Sequence, residues 1–401
     1  MHILLSLLLK KYQPKLVVVF GRQAREEARA MTATVLRKKY VVAEAAAEDV
    51  ENAIWHEFGE GFLRAIGALI ITRKKVFPEV LVISCEPNGQ HYQNLKNILG
   101  VYAVVITPIG DIPSFVDDFA GEGSVKIYLE ELKTLPAWTF LVLNYDDETV
   151  RSFDDKTNIK RYTYGMSERA DISAQETRYH LYGENNEERA EIIGGMHAKV
   201  RMEGSIVPFR IPGAFGRRHI YGALAAIGIA SRFDMNIVEA IGAMNNYKAP
   251  MGTGALQHGI KGSVLLDAST HATPFFVREL MDISASLKND RDDLRVVVAL
   301  SDLVHFGKGE ERIKVHEAMG EYVGKVASKV YLVGEQVRFA EQVISDLIGT
   351  DKVHRFENSQ EAARDIQPAI RTGDLVIVMG SPESRMETIV EELTEVAPYF
   401  S

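Results

Sequence analysis

The sequence predicts an α/β chain made of two doubly wound units. Two observations carry that expectation. Short β-branched and aliphatic runs at Val17–Phe20, Val80–Ser84, Ala103–Thr107 and Phe140–Leu143 alternate with helical patterns near 59–71, 90–99 and 113–134, as a mostly parallel sheet with covered faces requires. The same rhythm restarts beyond a Gly-rich stretch at 247–262, and 401 residues leave room for two domains.

Taken in order, the chain opens on an apolar run, Ile3–Leu9, followed by Lys10 and Lys11. It is too short to span a bilayer and lacks the basic start and cleavage site of a signal peptide. Two readings stand: a short helix packed on the first domain, or an interfacial segment at residues 1–11 with its lysines at the headgroups. Val17–Tyr40 then reads as strand, Gly21 turn and helix. Such a frame favours an anion, because unpaired N–H groups and the dipole meet at the helix start. A compact GxxGK(S/T) phosphate loop aligned on Gly21 puts Ala24 at the second glycine, Arg25 at the lysine and Glu26 at the magnesium-binding hydroxyl. The plainer reading of Arg22, Arg25, Glu26, Glu27 and Arg29 is a paired helix surface. Residues 43–60 read as a helix-like acidic run. Residues 166–211 have the texture of an antiparallel extension, and 213–233 contain an Ala/Ile/Gly-rich helix. In the second unit the strands fall at Val264–Asp267, Leu294–Leu300, Lys329–Val333 and Leu375–Met379. Its helices fall near 274–288, 310–326, 336–348 and 385–395. The expected division is 1–14 helix, 15–246 first domain, 247–262 linker and 263–401 second domain.

Composition narrows the function. The chain is 46% apolar and 25% charged, ordinary for a globular protein. Its net charge of −9 argues against a nucleic-acid partner. Cys85 is the only cysteine, which rules out an intrachain disulfide and a Cys-based metal cluster and suits the cytoplasm. No general base stands beside Cys85 in the sequence, so it reads as a buried strand-end thiol. His305 and His316 lack acidic or Cys neighbours at ligand spacing. Trp55 and Trp138 read as packing residues.

Several landmarks then appear in one order. They are the loop and helix at 19–36, Thr107-Pro-Ile-Gly110, Asn144-Tyr-Asp-Asp147, Thr163-Tyr-Gly165, Tyr221–Ala226 (YGALAA), Asp267–Pro274 (DASTHATP), Gly334-Glu335 and Met379-Gly-Ser-Pro382. Together they resemble the Mur ligase family, and most of all its branch that adds D-alanyl-D-alanine to the UDP-muramoyl tripeptide, from Lys15 to the end of the chain. The resemblance implies a P-loop-like, ATP-binding central domain followed by a Rossmann-like domain. It implies ATP and magnesium as cofactors, and an acyl phosphate attacked by an amine. It places Gly21, Arg25, Glu26, Asn144, Asp147 and His271 in the nucleotide cleft, and Glu86 at the metal with a one-residue shift. For Asp146 and Asp147, N-capping is the plain alternative; for His271 it is a structural histidine.

The departures fall on the chemistry. Arg25 replaces the loop lysine and Glu26 the hydroxyl. Pro113 stands for a metal-binding histidine, Leu129 for the carbamylated lysine (Lys126 and Lys133 are out of frame), Thr253 for the linker arginine, and Met379 and Pro382 for a terminal Lys and Arg. The family's separate uridine-binding domain has no room in fourteen residues. A carboxylate at 4 Å from a phosphate oxygen is repelled by about 4 kcal/mol at an effective dielectric near 20. The first expectation is therefore a catalytically impaired ligase-like protein with a scaffold or regulatory role in cell-wall precursor synthesis, partnered by an intact paralogue. The others are an active, divergent ATP-dependent amide ligase and a binding module for another ligand.

Overall fold

The computed structural model describes residues 3–58, 77–109, 122–153, 158–182, 193–270, 272–303 and 309–395. The helical pattern at 59–71, together with Gly110, Pro113, His271 and His305, lies outside them.

The first domain runs α1 (Ile3–Tyr12), β1 (Lys15–Phe20), α2 (Arg25–Leu36), β2 (Val42–Ala46), α3 (Val50–Phe58), β3 (Val80–Ser84), α4 (Gln90–Leu99), β4 (Ala103–Ile106), α5 (Glu122–Thr134), β5 (Phe140–Asn144), α6 (Glu148–Arg151) and β6 (Arg161–Gly165). It continues with β7 (Ile172–Tyr182), β8 (Ile193–Met202), β9 (Ser205–Pro212), α7 (Arg217–Arg232) and α8 (Ile237–Met244). Its strands form one sheet in the order β2-β3-β1-β4-β5-β6-β7-β8-β9, parallel through β7 and antiparallel from β7 to β9. Strands buried on both faces explain the unbroken apolar runs of β1, β3, β4 and β5. On one face, α2 and α7 pack through Ala28, Met31, Ala223, Ala226 and Ala230, all buried. The other face carries α1, whose Leu5, Leu8 and Leu9 are buried in a second core. The apolar side of α1 is thus spent on the domain. Leu7 remains 48% exposed.

The second domain runs β10 (Ala255–Gly259), β11 (Ser263–Ala268), α9 (Pro274–Asp290), β12 (Val296–Ser301), α10 (Glu310–Gly324), β13 (Lys329–Val333), α11 (Arg338–Ile348), β14 (Val353–Phe356), α12 (Ser359–Ala369), β15 (Leu375–Met379) and α13 (Glu387–Leu393). The sheet order is β10-β11-β15-β12-β13-β14, parallel except for β10. No helix among the described residues is long and apolar enough to cross a membrane.

Four expectations change. The acidic run at 43–60 is not one helix: Val42–Ala46 is an edge strand paired with β3, and the helix starts at Val50. Pairing against the sheet overrides the helix preference of its alanines. Trp138 is 53% exposed rather than packed inside. His316, expected from the sequence on an exposed loop–helix segment at 301–320, is buried with its ring nitrogens toward the Leu303 amide and the Arg312 carbonyl. The Gly-rich stretch at 247–262 is not a bare tether, since it contains β10 and is bonded to both domains. Phe215 N–H donates to Gly254 O (2.9 Å), Leu256 N–H to Gly213 O (2.9 Å) and Gly254 N–H to Asp267 O (2.7 Å). Buried Asp267 accepts from Gly252 N–H at 2.8 Å and from the Ser269 N–H and hydroxyl at 3.1 and 2.6 Å. Gly252 is required there: its φ is +76°, and a Cβ would come within 2.0 Å of Thr270 Oγ1. Buried His219 of α7 adds a further tie, with Nδ1 at 2.9 Å from Tyr247 Oη and Nε2 at 3.0 Å from Thr253 O. The carbonyl can only accept, so Nε2 carries the proton and Nδ1 accepts from the tyrosine.

Two predictions follow from this connector. Asp267→Ala leaves three donors unmatched in a buried site and lowers stability by about 3 kcal/mol, read from the urea midpoint. Burial, aided by Arg218, pulls the His219 pKa from 6.5 down to about 3. The unfolded chain takes up this proton below pH 6.5 and the folded chain does not, so the contribution is complete above pH 6.5 and is lost progressively toward pH 3. At pH 5 the loss is about 2 kcal/mol. His219→Gln, a neutral residue with one donor and one acceptor in place, should flatten this part of the pH profile.

Candidate functional site

The site begins at the turn after β1. Gly21 has φ +126° and lies so close to β4 that a Cβ would fall 2.0 Å from Thr107 Oγ1. The next two amides, of Arg22 and Gln23, both donate to Pro108 O at 3.1 Å. In an anion-binding loop such amides face the ligand; here they face a carbonyl. Ala24 then adopts the left-handed conformation, φ 58° and ψ 16°, and caps α2 without a side-chain bond. A non-glycine residue in that conformation costs roughly 1–2 kcal/mol. The backbone path that a glycine would take is therefore retained with a buried methyl on it.

Around the head of α2 the charges pair with one another. Arg25 Nη1 lies 2.8 Å from Glu86 Oε1, and the Tyr128 hydroxyl donates to Glu86 Oε2 at 2.9 Å. Arg25 Nε lies 3.4 Å from Glu26 Oε1, and Arg29 Nη2 lies 2.9 Å from Glu26 Oε2. Burial, and then Glu86, push the Tyr128 hydroxyl pKa up. Burial likewise raises the Cys85 thiol, which stays an inert strand-end residue. Leu129 packs against the core, whereas Lys126 points to solvent beside Glu130 at 3.6 Å.

Asp147 lies on the far wall, with the buried Asn144 behind it. Asp147 Oδ1 accepts from Val150 N–H (2.9 Å), capping α6, and Oδ2 accepts from Ile109 N–H (2.6 Å). Its own N–H donates to Asn144 Oδ1 at 2.9 Å. Asp146 accepts from the Met166 and Ser167 amides at 2.6 and 3.0 Å and from the Tyr221 hydroxyl at 2.9 Å. The capping reading of this turn is what its bonds display.

Across the cleft stands α9. Its Glu279 Oε1 accepts from the Arg217 amide at 2.5 Å, while Glu279 Oε2 is shielded and has no hydrogen-bond partner among the described residues. Burial raises the Glu279 pKa against the lowering effect of that amide. The Arg217 and Arg218 guanidinium groups lie 5.5 and 5.4 Å from the Phe275 and Phe276 ring centres. Arg218 Nε also lies 2.7 Å from Oε1 of the fully buried Glu27. Between these groups is a cavity of about 150 Å³, lined by Gln23, Ala24, Asp146, Arg217, Tyr221 and Glu279 among others. Small-molecule sites span roughly 300–1,000 Å³. A second cavity of about 430 Å³ shares Arg217, Phe275 and Glu279 with it.

The residues present fit a magnesium triphosphate poorly. The loop amides are committed to Pro108, the one cation at the loop lysine's position is held by two carboxylates, and Glu26 brings charge of the wrong sign to a phosphate. Of the residues singled out in the sequence, Gly21, Arg25, Glu26 and Glu86 come together at one end of α2, and Asn144 and Asp147 stand behind the loop. Arg217, Arg218, Phe275, Phe276 and Glu279 went unnoticed. The double arginine just before YGALAA was a usable signal; Glu279 gave none, because only the domain arrangement brings it to the cleft.

Comparison with known proteins agrees with this architecture. Residues 277–382 match the family model described as Mur ligase, glutamate ligase domain. No curated protein matches the chain in sequence. Among solved structures, the MurF ligase of Thermotoga maritima in complex with ADP has a TM-score of 0.69 at 16% identity, over 96% of this chain and 81% of that one. A MurF structure from Acinetobacter baumannii has a TM-score of 0.72 at 14% identity, over 97% and 78%. The folylpolyglutamate synthase of Mycobacterium tuberculosis complexed with ADP has a TM-score of 0.62 at 11% identity, over 97% and 94%. The chain thus has the two-domain fold of the Mur ligases, and residues 277–382 of its second domain match the Mur ligase family model.

Proposed function

We propose that this chain is a Mur ligase-like protein whose ATP chemistry is impaired, and that it acts as a scaffold or regulator in cell-wall precursor synthesis, alongside an intact ligase of the same fold in the cytoplasm. The observation that carries this reading is the Arg25–Glu86 ion pair at 2.8 Å, fastened by Tyr128. A phosphate entering here must take Arg25 from one carboxylate while meeting a second, that of Glu26. At an effective dielectric near 20, each such close like-charge contact costs about 4 kcal/mol, comparable to the whole binding free energy of a millimolar ligand. Phosphoryl transfer relies on positioned positive charge, and the residues of this site supply little that is uncommitted. The similar MurF structure contains ADP, and the family's ligases supply the comparison state.

Calorimetric titration with ATP, with and without magnesium, tests the reading. The expected result is no heat and no thermal shift at millimolar nucleotide. Magnesium-dependent binding with a Kd below about 1 mM would overturn it in favour of a divergent amide ligase, with Glu26 and Glu86 as metal ligands. The triple substitution Ala24→Gly, Arg25→Lys, Glu26→Thr restores the loop chemistry and should strengthen nucleotide binding at least tenfold, about 1.4 kcal/mol. An unchanged affinity would place the obstacle elsewhere, in the closed cleft.

A further inference from the structure

The extension β7–β9 packs one face on the helices and leaves the other outside the helical layer. Ala174, Met196, Ala198, Val200, Phe209 and Ile211 are buried on the packed face. On the opposite face, register sets Arg178, His197 and Arg210 side by side across the three strands. Lys199 and Arg201 follow on the same face of β8 by the two-residue period. Neither β8 nor β9 contains an Asp or Glu, in a chain of net charge −9. Glu176 of β7 balances Lys199 at 2.6 Å. Arg201 is held by Ser173 Oγ at 3.2 Å and by the Glu168 carbonyl. Arg178 is exposed and lies in the field of Glu176, which Lys199 holds more closely; Arg210 is half-buried, and its Nε has no hydrogen-bond partner among the described residues.

We propose that this face docks on a bilayer surface containing anionic phospholipids. Its cations are spread over three strands spaced about 4.8 Å apart, and Arg178, Lys199, Arg201 and Arg210 line none of the cavities described above, so the geometry suits an extended surface better than a single small anion. Ile206, 59% exposed and in register with Arg201, and exposed Pro208, in register with Lys199, form an aliphatic shoulder beside the charges. Such a shoulder enters a headgroup layer. A single-stranded nucleic acid would want aromatic rings for stacking. Of the rings on this face, Tyr182 is covered by Arg291 at 5.7 Å, and His180 and His197 pack on each other at 5.0 Å between centres. The inference is independent of whether the nucleotide site works.

Co-sedimentation of the full chain with phosphatidylcholine vesicles, with and without phosphatidylglycerol, tests it. The protein should bind the anionic vesicles only, and less as salt is raised. Each arginine near an anionic surface is worth about fivefold in partitioning, so Arg178→Gln with Arg210→Gln should weaken binding about 25-fold. Lys126→Gln, on an exposed part of α5, should leave it unchanged. A urea midpoint equal to that of the parent chain confirms that the double variant is folded. Absence of binding, equal binding to neutral vesicles, an unaffected double variant, or binding of soluble polyphosphate or nucleic acid without vesicle binding would each overturn the proposal.

Discussion

The short run from Gly252 to Leu256 is bonded to both domains at once, and the cleft depends on it. Gly254 alone gives its carbonyl to the first domain and its amide to the second. A chain held on both sides at one residue has little freedom to hinge there. The width of the cleft is therefore set by backbone hydrogen bonds and by the buried Asp267 carboxylate. The Arg217–Glu279 bond and the aromatic contacts of Phe275 and Phe276 then close over it. A structure of this kind holds its domains together through protein contacts, where many two-domain enzymes rely on a bound ligand to bring the halves together.

Inside the cleft, the backbone frame and the charged groups answer to different constraints. The strand–turn–helix frame needs a glycine that can approach β4, and Gly21 supplies it. It needs a left-handed residue at the head of α2, and Ala24 is held there by its surroundings despite the cost. Neither requirement involves a ligand. The charged groups obey a different constraint: they must find partners wherever water is partly excluded. Arg25, Glu26, Arg29 and Glu86 do so among themselves. The outcome is a loop whose shape resembles an anion cradle and whose electrostatics are already balanced.

Much of this was legible in the sequence, and the reasons are physical. Strands buried on both faces write continuous apolar runs, so β1, β3, β4, β5, β12, β13 and β15 declare themselves. Gly21 and the altered loop were visible because they are contiguous. Short strands with mixed sequences, such as β2 (VAEAA) and β14 (VHRF), carry no pattern that their neighbours do not impose. β10 was hidden among glycines that serve its turns. Glu279 and Phe276 were beyond reach for another reason, since they belong to the site only because α9 meets the head of α7, about sixty residues away along the chain.

The acidic first turn of α2 has a consequence for the protein's economy in the cell. In a phosphate-binding loop the positive end of the helix is completed by the bound anion, and occupancy adds to stability in proportion to the logarithm of ligand concentration. Here Glu26 and Glu27 complete it covalently. On the proposed reading, the folded population of this chain is uncoupled from the nucleotide pool and persists when that pool falls.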